Sequence, residues 1–212
     1  REQLAERVTA IAWASDNKTL FYAQEDAVTK RSNKIYRHVL DSGTHDLLFE
    51  EKDELYHVQV AATRSRGYIM VVSASSTTSE VRYLSAKAPG GELALFLPRR
   101  EGHEYYVDHI GTRFYVRTND QGKNFRLATT SVKDISPARW KEIIPHRADV
   151  MLEDVDCFAG HFIAVERKDG VPRLQVNDLT TGKSHYISFP EPVYVAYPGV
   201  NAEFTATKIG RA

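Results

Sequence analysis

The segment Tyr68-Ile69-Met70-Val71-Val72-Ser73 sets the architecture, because similar short apolar segments return along the chain at a nearly constant interval. Its counterparts are Leu20-Phe21-Tyr22-Ala23, Arg113-Phe114-Tyr115-Val116-Arg117 and His161-Phe162-Ile163-Ala164-Val165. With Phe21, Ile69, Phe114 and Phe162 taken as equivalent, the successive steps in residue number are 48, 45 and 48. A second set agrees, since Leu47, Leu95 and Ile143 are separated by the same step of 48, and Ile187 follows after 44. A period in this range is typical of stacked supersecondary repeats.

Each repeat contains four short apolar segments separated by turn residues, which is the pattern of consecutive β-hairpins. In the first repeat, Asp41-Ser42-Gly43 predicts a tight turn before His45–Glu50, since glycine tolerates positive φ and aspartate caps turns. Later turns are expected at Pro89-Gly90-Gly91, Asn119 to Asn124, Lys168-Asp169-Gly170 and Thr180-Thr181-Gly182. Only the loop from Ser131 to Arg139 is a candidate for helix.

Four antiparallel strands per repeat of about 45 residues predict an all-β fold, a β-propeller segment of about four four-stranded antiparallel blades plus the start of a fifth. We expect a single partial propeller domain over residues 1–212, with blades at approximately 8–52, 55–100, 103–147 and 150–190 and a partial blade at 193–212. Strands of the partial blade are expected at Val193–Ala196 and Glu203–Ala206. A sandwich of hairpins is the rival fold, but it has no reason to keep one spacing through four repeats.

Composition argues against several classes of partner. The 28 Lys and Arg balance the 28 Asp and Glu, so no overall field attracts nucleic acid or an anionic membrane. No apolar run approaches the roughly 20 residues of a membrane helix, and no signal peptide is recognised. Because the chain starts at Arg1 without methionine and stops at Ala212 just after an expected strand, we expect it to be a piece of a longer protein.

Motifs for catalysis, metal binding or cofactor binding are lacking in the sequence. Ser73, Ser75, Ser76 and Ser79 do not lie in the Gly-x-Ser-x-Gly turn of an α/β-hydrolase, so no catalytic residue is assigned. The closest histidines, His103 and His109, fit strand ends better than a metal site, and no cofactor is expected. The one cysteine, Cys157, allows no internal disulfide, is expected to be structural and favours a reducing compartment.

Charged residues concentrate in the connections from one blade to the next. The runs are Glu50-Glu51-Lys52-Asp53-Glu54 and Arg99-Arg100-Glu101. Such charges can be merely solvated. Alternatively, they form a surface that pairs with another domain or determines which ligands reach a central channel.

Five collinear motifs in this chain resemble the propeller of the oligopeptidase B (protease II) branch of the prolyl oligopeptidase family of serine peptidases. They are Phe49-Glu50-Glu51-Lys52-Asp53, Ser75 to Val81, Leu97-Pro98-Arg99-Arg100 with His103-Glu104-Tyr105, Asp120-Gln121-Gly122-Lys123-Asn124-Phe125 and Val150-Met151-Leu152-Glu153. The likeness spans essentially the whole chain. It departs from the family at Gln24 to Lys30, which replaces a more basic, proline-containing stretch.

The resemblance implies an internal piece of a seven-bladed propeller that caps a C-terminal α/β-hydrolase domain of the same parent chain. The parent would be a cytoplasmic serine endopeptidase that cleaves short peptides after Arg or Lys, with its catalytic triad outside this chain. The segment itself would be inactive and would restrict access of substrates. Charges at its rim would pair with the hydrolase domain, and the candidates are Glu50, Glu51, Asp53, Arg99 and Arg100. The alternative is a stand-alone propeller that scaffolds protein partners without enzymatic activity.

Overall fold

The computed structural model describes residues 5–207, which divide into two compact units between Tyr105 and Tyr106. These residues form sixteen strands in four four-stranded antiparallel sheets. In every sheet the strands follow one another in chain order, as consecutive hairpins require. The predicted all-β fold of four-stranded units is therefore confirmed.

The strands of the first two sheets are β1 (Val8–Trp13), β2 (Thr19–Glu25), β3 (Ser32–Val39), β4 (Thr44–Glu50), β5 (His57–Ala62), β6 (Tyr68–Ala74), β7 (Ser79–Ser85) and β8 (Ala94–Leu95). Those of the last two are β9 (Tyr105–Ile110), β10 (Arg113–Thr118), β11 (Arg126–Ser131), β12 (Lys141–Ile144), β13 (Met151–Cys157), β14 (His161–Lys168), β15 (Val171–Asp178) and β16 (Ser184–Tyr186). The loop considered for helix contains a 3₁₀ turn at Pro137–Arg139.

Turn residues join the strands where the sequence predicted them. Between β14 and β15, Asp169 (φ 50°) and Gly170 (φ 80°) both have positive φ. Two consecutive residues of this kind form the hairpin turn whose twist matches that of the flanking strands. Asp41 (φ 61°) and Gly43 (φ 66°) likewise turn the chain between β3 and β4.

The core of the first unit is an apolar layer between the first and second sheets. Phe21 and Ile35 of the first sheet meet Val58, Ile69 and Val71 of the second in one buried cluster. Burial of such side chains supplies the main stabilisation, roughly 25 cal/mol per Å² of apolar surface.

This packing corrects the sequence alignment of the repeats by one position. Phe21 and Ile69 meet in the same layer, so they point toward each other from facing sheets. Equivalent residues of successive repeats would instead point in the same direction. Because strand side chains alternate between faces, the counterpart of Ile69 is Leu20, on the opposite face from Phe21. The first step between repeats, counted in residue number, is therefore one longer than the sequence alignment gave.

The second unit has a comparable layer between the third and fourth sheets. Leu127 and Ile144 of the third sheet pack with Leu152 and Phe162 of the fourth. Cys157 is fully buried in the same cluster, as expected of a structural thiol.

The strands expected for a fifth blade at Val193–Ala196 and Glu203–Ala206 are wrong, because residues 187–207 contain no strand. Pro190, Pro192 and Pro198 interrupt this segment, and proline lacks the N–H that a strand ladder needs. The segment instead lies against the fourth sheet. Its apolar side chains pack on two buried clusters, Ile187, Phe189, Ala196 and Ala206 on one and Phe204 on the other. Residues 208–212 of the expected blade lie outside the described residues.

Candidate functional site: the charged links between sheets

The predicted rim residues lie at or in the links, the segments that carry the chain from one sheet to the next. The first link is 51–56, the second 96–104 and the third 145–150. Glu50 ends β4, Glu51 and Asp53 lie in the first link, and Arg99 and Arg100 lie in the second. The fold brings Glu51 and Arg99 into contact with each other, whereas Glu50, Asp53 and Arg100 are exposed.

Glu51 is a buried carboxylate with a full set of hydrogen-bond donors. Its Oε2 accepts hydrogen bonds from Arg99 Nη2 at 2.5 Å and from Ser73 Oγ at 2.5 Å. Its Oε1 accepts one from the backbone N–H of Asp53 at 3.0 Å. Burial alone would raise the pKa of Glu51, but the hydrogen bonds from Arg99 and Ser73 outweigh it and the pKa is lowered. The carboxylate is therefore held ionised beside Arg99.

Arg99 connects the first link to the second sheet. Its guanidinium lies over the ring of Tyr56, 3.6 Å from the centroid, and its backbone N–H donates to Glu80 Oε2 at 3.1 Å. Burial would lower the pKa of Arg99, but the hydrogen bond and charge of Glu51 raise it. Arg99 is thus fixed by an aromatic ring and two carboxylates, Glu51 and Glu80.

Arg31, in the loop between β2 and β3, holds the backbone of the first link. Its guanidinium donates to three carbonyl oxygens, those of Tyr56 at 2.8 Å, Asp53 at 3.1 Å and Glu51 at 3.1 Å. A loop segment with several carbonyls on one side needs such a donor to satisfy them. The path of the first link is therefore set from within its own sheet.

Tyr105 anchors the end of the second link. Its hydroxyl accepts a hydrogen bond from the N–H of Val81 at 2.8 Å and donates to the carbonyl of Leu97 at 2.8 Å. Because β8 is only two residues long, it cannot pair with all of β7. The Tyr105 hydroxyl therefore serves as the hydrogen-bond partner of the Val81 N–H in place of a longer β8. Ser79 Oγ also donates to the Tyr105 carbonyl at 2.8 Å.

The third link carries a second buried ion pair, in the second unit. Arg147 pairs with Glu166 of β14, and the hydroxyl of Tyr186 donates to Glu166 Oε2 at 2.9 Å. Glu166 is 0% exposed. A buried carboxylate requires this kind of partnership, because leaving water costs several kcal/mol per ion.

The two histidines considered for a metal site have separate structural roles. His103 stacks on Tyr105 at 5.2 Å between ring centroids, and His109 packs edge-on against Phe114 at 5.7 Å. Burial lowers the pKa of His109. Within residues 5–207, no three His, Cys, Asp or Glu side chains converge to hold a metal ion.

Sequence reasoning missed Arg31, Tyr105 and the Arg147–Glu166 pair. Arg147 could have been found, because Glu51, Arg99 and Arg147 follow one another at equal steps of 48 residues and all three lie in links. Glu166 could not have been found, because an acidic residue in a strand is expected to face solvent unless its partner is known.

We expect Glu51→Gln to lower the free energy of unfolding by about 1–3 kcal/mol at pH 7, because Arg99 loses its ionised partner. The expected loss of unfolding free energy lies toward the lower end of this range, because the Arg99 side chain is 25% exposed. The pKa of Glu51 is lowered by folding, so its contribution is present above the unfolded pKa and disappears as pH falls through the folded one. Urea unfolding at several pH values measures this.

Glu54→Gln, an exposed change in the same link, is the matched control and should leave stability within about 0.5 kcal/mol. Equal stability of the Glu51 variant and the control would contradict the assigned contacts.

Comparisons with known proteins agree with the architecture. The family described as "Prolyl oligopeptidase, N-terminal beta-propeller domain" matches residues 2–210. Oligopeptidase B from Trypanosoma brucei, solved in a closed form with covalently bound antipain, superposes with a TM-score of 0.77 at 28% identity. That superposition covers 87% of this chain and 27% of the other.

Two curated bacterial relatives are also similar. An uncharacterised peptidase, y4sO, of Sinorhizobium fredii is 36% identical over 177 residues, which cover 79% of this chain and 25% of the relative. Dipeptidyl aminopeptidase BI of Pseudoxanthomonas mexicana is 31% identical over 196 residues, which cover 91% of this chain and 27% of the relative. The chain thus spans about a quarter of the length of the relatives it matches.

The four-stranded sheets and their likeness to solved propellers define the chain as β-propeller segments. The chain belongs to the prolyl oligopeptidase family, where it matches the N-terminal propeller domain. Within residues 5–207 there is no helix with the length and apolar character needed to cross a bilayer.

Proposed function

We propose that this chain is the non-catalytic propeller part of a serine-type oligopeptidase and restricts access to a C-terminal α/β-hydrolase domain of the same parent chain. The observation that carries the proposal is the match of residues 2–210 to the N-terminal propeller domain of prolyl oligopeptidases. The absence of a Gly-x-Ser-x-Gly motif from the sequence supports a non-catalytic role. The parent acts on short peptides in the cytoplasm, in keeping with the single buried cysteine.

Cleavage after Arg or Lys is the proposed specificity of the parent. Structural similarity to oligopeptidase B supports it. Similarity to a dipeptidyl aminopeptidase supports a different cleavage, release of N-terminal dipeptides. The two specificities are distinguishable by experiment.

The exposed charges Glu50, Asp53 and Arg100 are proposed as the residues that contact the hydrolase domain. Glu51 and Arg99 contribute indirectly, because their mutual ion pair fixes the links that present the exposed charges. Individual exposed pairs contribute only about 0–1 kcal/mol, so the three would act together.

The test uses the full-length parent with three fluorogenic peptides: one blocked at the N-terminus with Arg at the cleaved bond, its Ala analogue, and a dipeptide with a free N-terminus. The proposal expects the blocked Arg peptide to have the highest kcat/KM and the isolated 212-residue chain to cleave none. Preference for the unblocked dipeptide would overturn the Arg/Lys specificity. Activity of the isolated chain would overturn the non-catalytic role.

The scaffold alternative predicts an isolated chain that is monodisperse and unfolds cooperatively. One face of the first sheet argues against the scaffold alternative, because Ile11, Trp13 and Leu47 are 58%, 46% and 48% exposed on that face. A stand-alone scaffold would not ordinarily leave such residues together on one sheet face. Sedimentation of the isolated chain distinguishes the two proposed functions, because only the scaffold alternative predicts a single monodisperse species.

A further inference from the structure

The third link is fastened to the third sheet. The side-chain amide of Asn124, in the loop between β10 and β11, donates to the carbonyls of Arg147 at 2.8 Å and Ala148 at 2.9 Å. The N–H of Leu152 donates to the Asn124 carbonyl at 2.9 Å. The backbone at Arg147 is therefore held by the loop of the third sheet.

The side chain of Arg147 fastens the same link to the fourth sheet. It pairs with Glu166, whose second oxygen accepts the hydrogen bond from Tyr186. We name Arg147, Glu166 and Tyr186 the Glu166 cluster. Through Asn124 and this cluster, one continuous set of hydrogen bonds ties the third sheet to β14 and β16 of the fourth.

The first unit has a related contact between a link and a strand, but there the carboxylate lies in the link and not in the strand. Ile69 and Phe162 are equivalent, so Ser73 and Glu166, each four positions later, are equivalent too. Glu51 and Arg147 both lie in links and are separated by two steps of 48 residues. In the first unit, a link carboxylate thus bonds the strand hydroxyl of Ser73, whereas in the second a link cation pairs with a strand carboxylate.

The interface between the third and fourth sheets also contains a cavity of about 150 Å³ that is partly open to solvent. Its lining includes Tyr106, Tyr115 and Leu127 of the third sheet and Asp154 and Cys157 of the fourth. Unfilled space removes dispersion contacts between the facing sheets, so this interface is less tightly held than a filled core.

Because of these features, local separation of the two sheets costs comparatively little free energy. A buried ion pair recovers its hydration when it reaches water, whereas exposed apolar side chains do not. The cavity lowers the number of contacts that must be broken. At the link end of the interface, the Glu166 cluster opposes separation together with two direct bonds between the sheets, from the Leu152 N–H to the Asn124 carbonyl and from Arg117 Nη1 to the Leu152 carbonyl at 3.4 Å.

We propose that the third and fourth sheets separate locally in the native protein, and that the Glu166 cluster sets how often this happens. Each opening transiently exposes side chains that lie between the two sheets, among them Leu127 of the third sheet and Cys157 of the fourth. If the chain restricts access to a peptidase, a consequence that rests on the proposed function, such openings give peptides a path between these two sheets.

Cys157 provides a built-in reporter of the opening. It is the one cysteine of the chain, is 0% exposed, and lies on β13 against the cavity. A thiol reagent can reach it only when the interface opens, so the labelling rate measures the population of the open state. The experiment labels the full-length protein under native conditions and maps the modified peptide by mass spectrometry.

We expect Glu166→Gln and Arg147→Met to accelerate labelling of Cys157 by about tenfold or more. The double variant should be no faster than about twice the faster single variant, because the two residues share one interaction. Tyr186→Phe, which keeps the ion pair, should give a smaller acceleration.

The matched control is the Glu153–Arg167 pair of the same unit, joined at 2.5 Å but with 24% and 33% of its side chains exposed. Glu153→Gln and Arg167→Met should leave the labelling rate within about twofold. Equal acceleration in the control pair and the Glu166 cluster would overturn the proposal, as would unchanged labelling in the cluster variants.

Denaturant dependence separates local opening from global unfolding. Local opening exposes little surface, so the labelling rate should rise only weakly with urea at low concentrations. If the labelling rate rises with urea as steeply as global unfolding does, the proposal is wrong. The same comparison identifies variants that are labelled faster only because they are less stable. The assay needs no catalytic activity, so its outcome is independent of whether the proposed peptidase function is correct.

Discussion

Replacing Phe21 with alanine is expected to lower the free energy of unfolding of the chain by about 3–5 kcal/mol. Phe21 is 0% exposed and lies in the layer that joins the first and second sheets, with Ile69 and Val71 opposite. The neighbouring side chains cannot fully collapse into the space left by the ring, so a cavity cost adds to the lost burial. Urea unfolding followed by tryptophan fluorescence and circular dichroism measures the change.

Ile11→Ala is the matched control for Phe21, because Ile11 is 58% exposed on the opposite face of the same sheet. Its replacement should cost less than about 1 kcal/mol. A similar loss at both positions would contradict the assignment of the two faces, and with it the one-position correction of the first repeat.

Alkaline pH is expected to destabilise the chain through Tyr105. Burial raises the pKa of Tyr105 to about 12, and the hydrogen bonds that its oxygen accepts from the backbone N–H groups of Val81 and Leu97 only partly oppose this. The folded pKa lies above the unfolded value near 10, so the stabilisation is complete below pH ~10 and is lost as pH rises through 12. The loss attributable to this phenol is about 2–3 kcal/mol.

Tyr105→Phe isolates that contribution. The variant should lose about 1–3 kcal/mol at pH 7, since the Val81 N–H and the Leu97 carbonyl keep no phenol partner. Its stability should then fall less steeply than that of the unmodified chain between pH 10 and 12. Tyr197→Phe, which changes a residue that is 59% exposed, serves as control. Parallel alkaline profiles for the chain and the Tyr105 variant would refute the assignment.

Local pattern was sufficient to predict most strands and turns. The Asp169-Gly170 turn is an example, because its conformation depends on residues adjacent in sequence. The expected strand at Val193–Ala196 failed for the opposite reason. A strand exists only with a neighbour to pair with, and apolar alternation cannot show whether that neighbour is present.

The candidate site was predicted in position but not in detail. Glu51 and Arg99 were placed correctly in the links, yet nothing in the sequence showed that two side chains so far apart along the chain contact each other. Their pairing depends on the face along which the two sheets meet. That face was misassigned at Phe21, where the shift of a single residue reverses the direction of every side chain.

The strands β8, β12 and β16, which form one edge of the second, third and fourth sheets, contain only two, four and three residues. At an edge strand, backbone N–H and carbonyl groups are available to another polypeptide. With so few residues in these strands, this edge of the three sheets offers a foreign strand only a short row of hydrogen-bonding groups, whereas β5, β9 and β13 at the opposite edges contain six, six and seven residues. Intermolecular β-addition to these three sheets is therefore disfavoured at their short last strands.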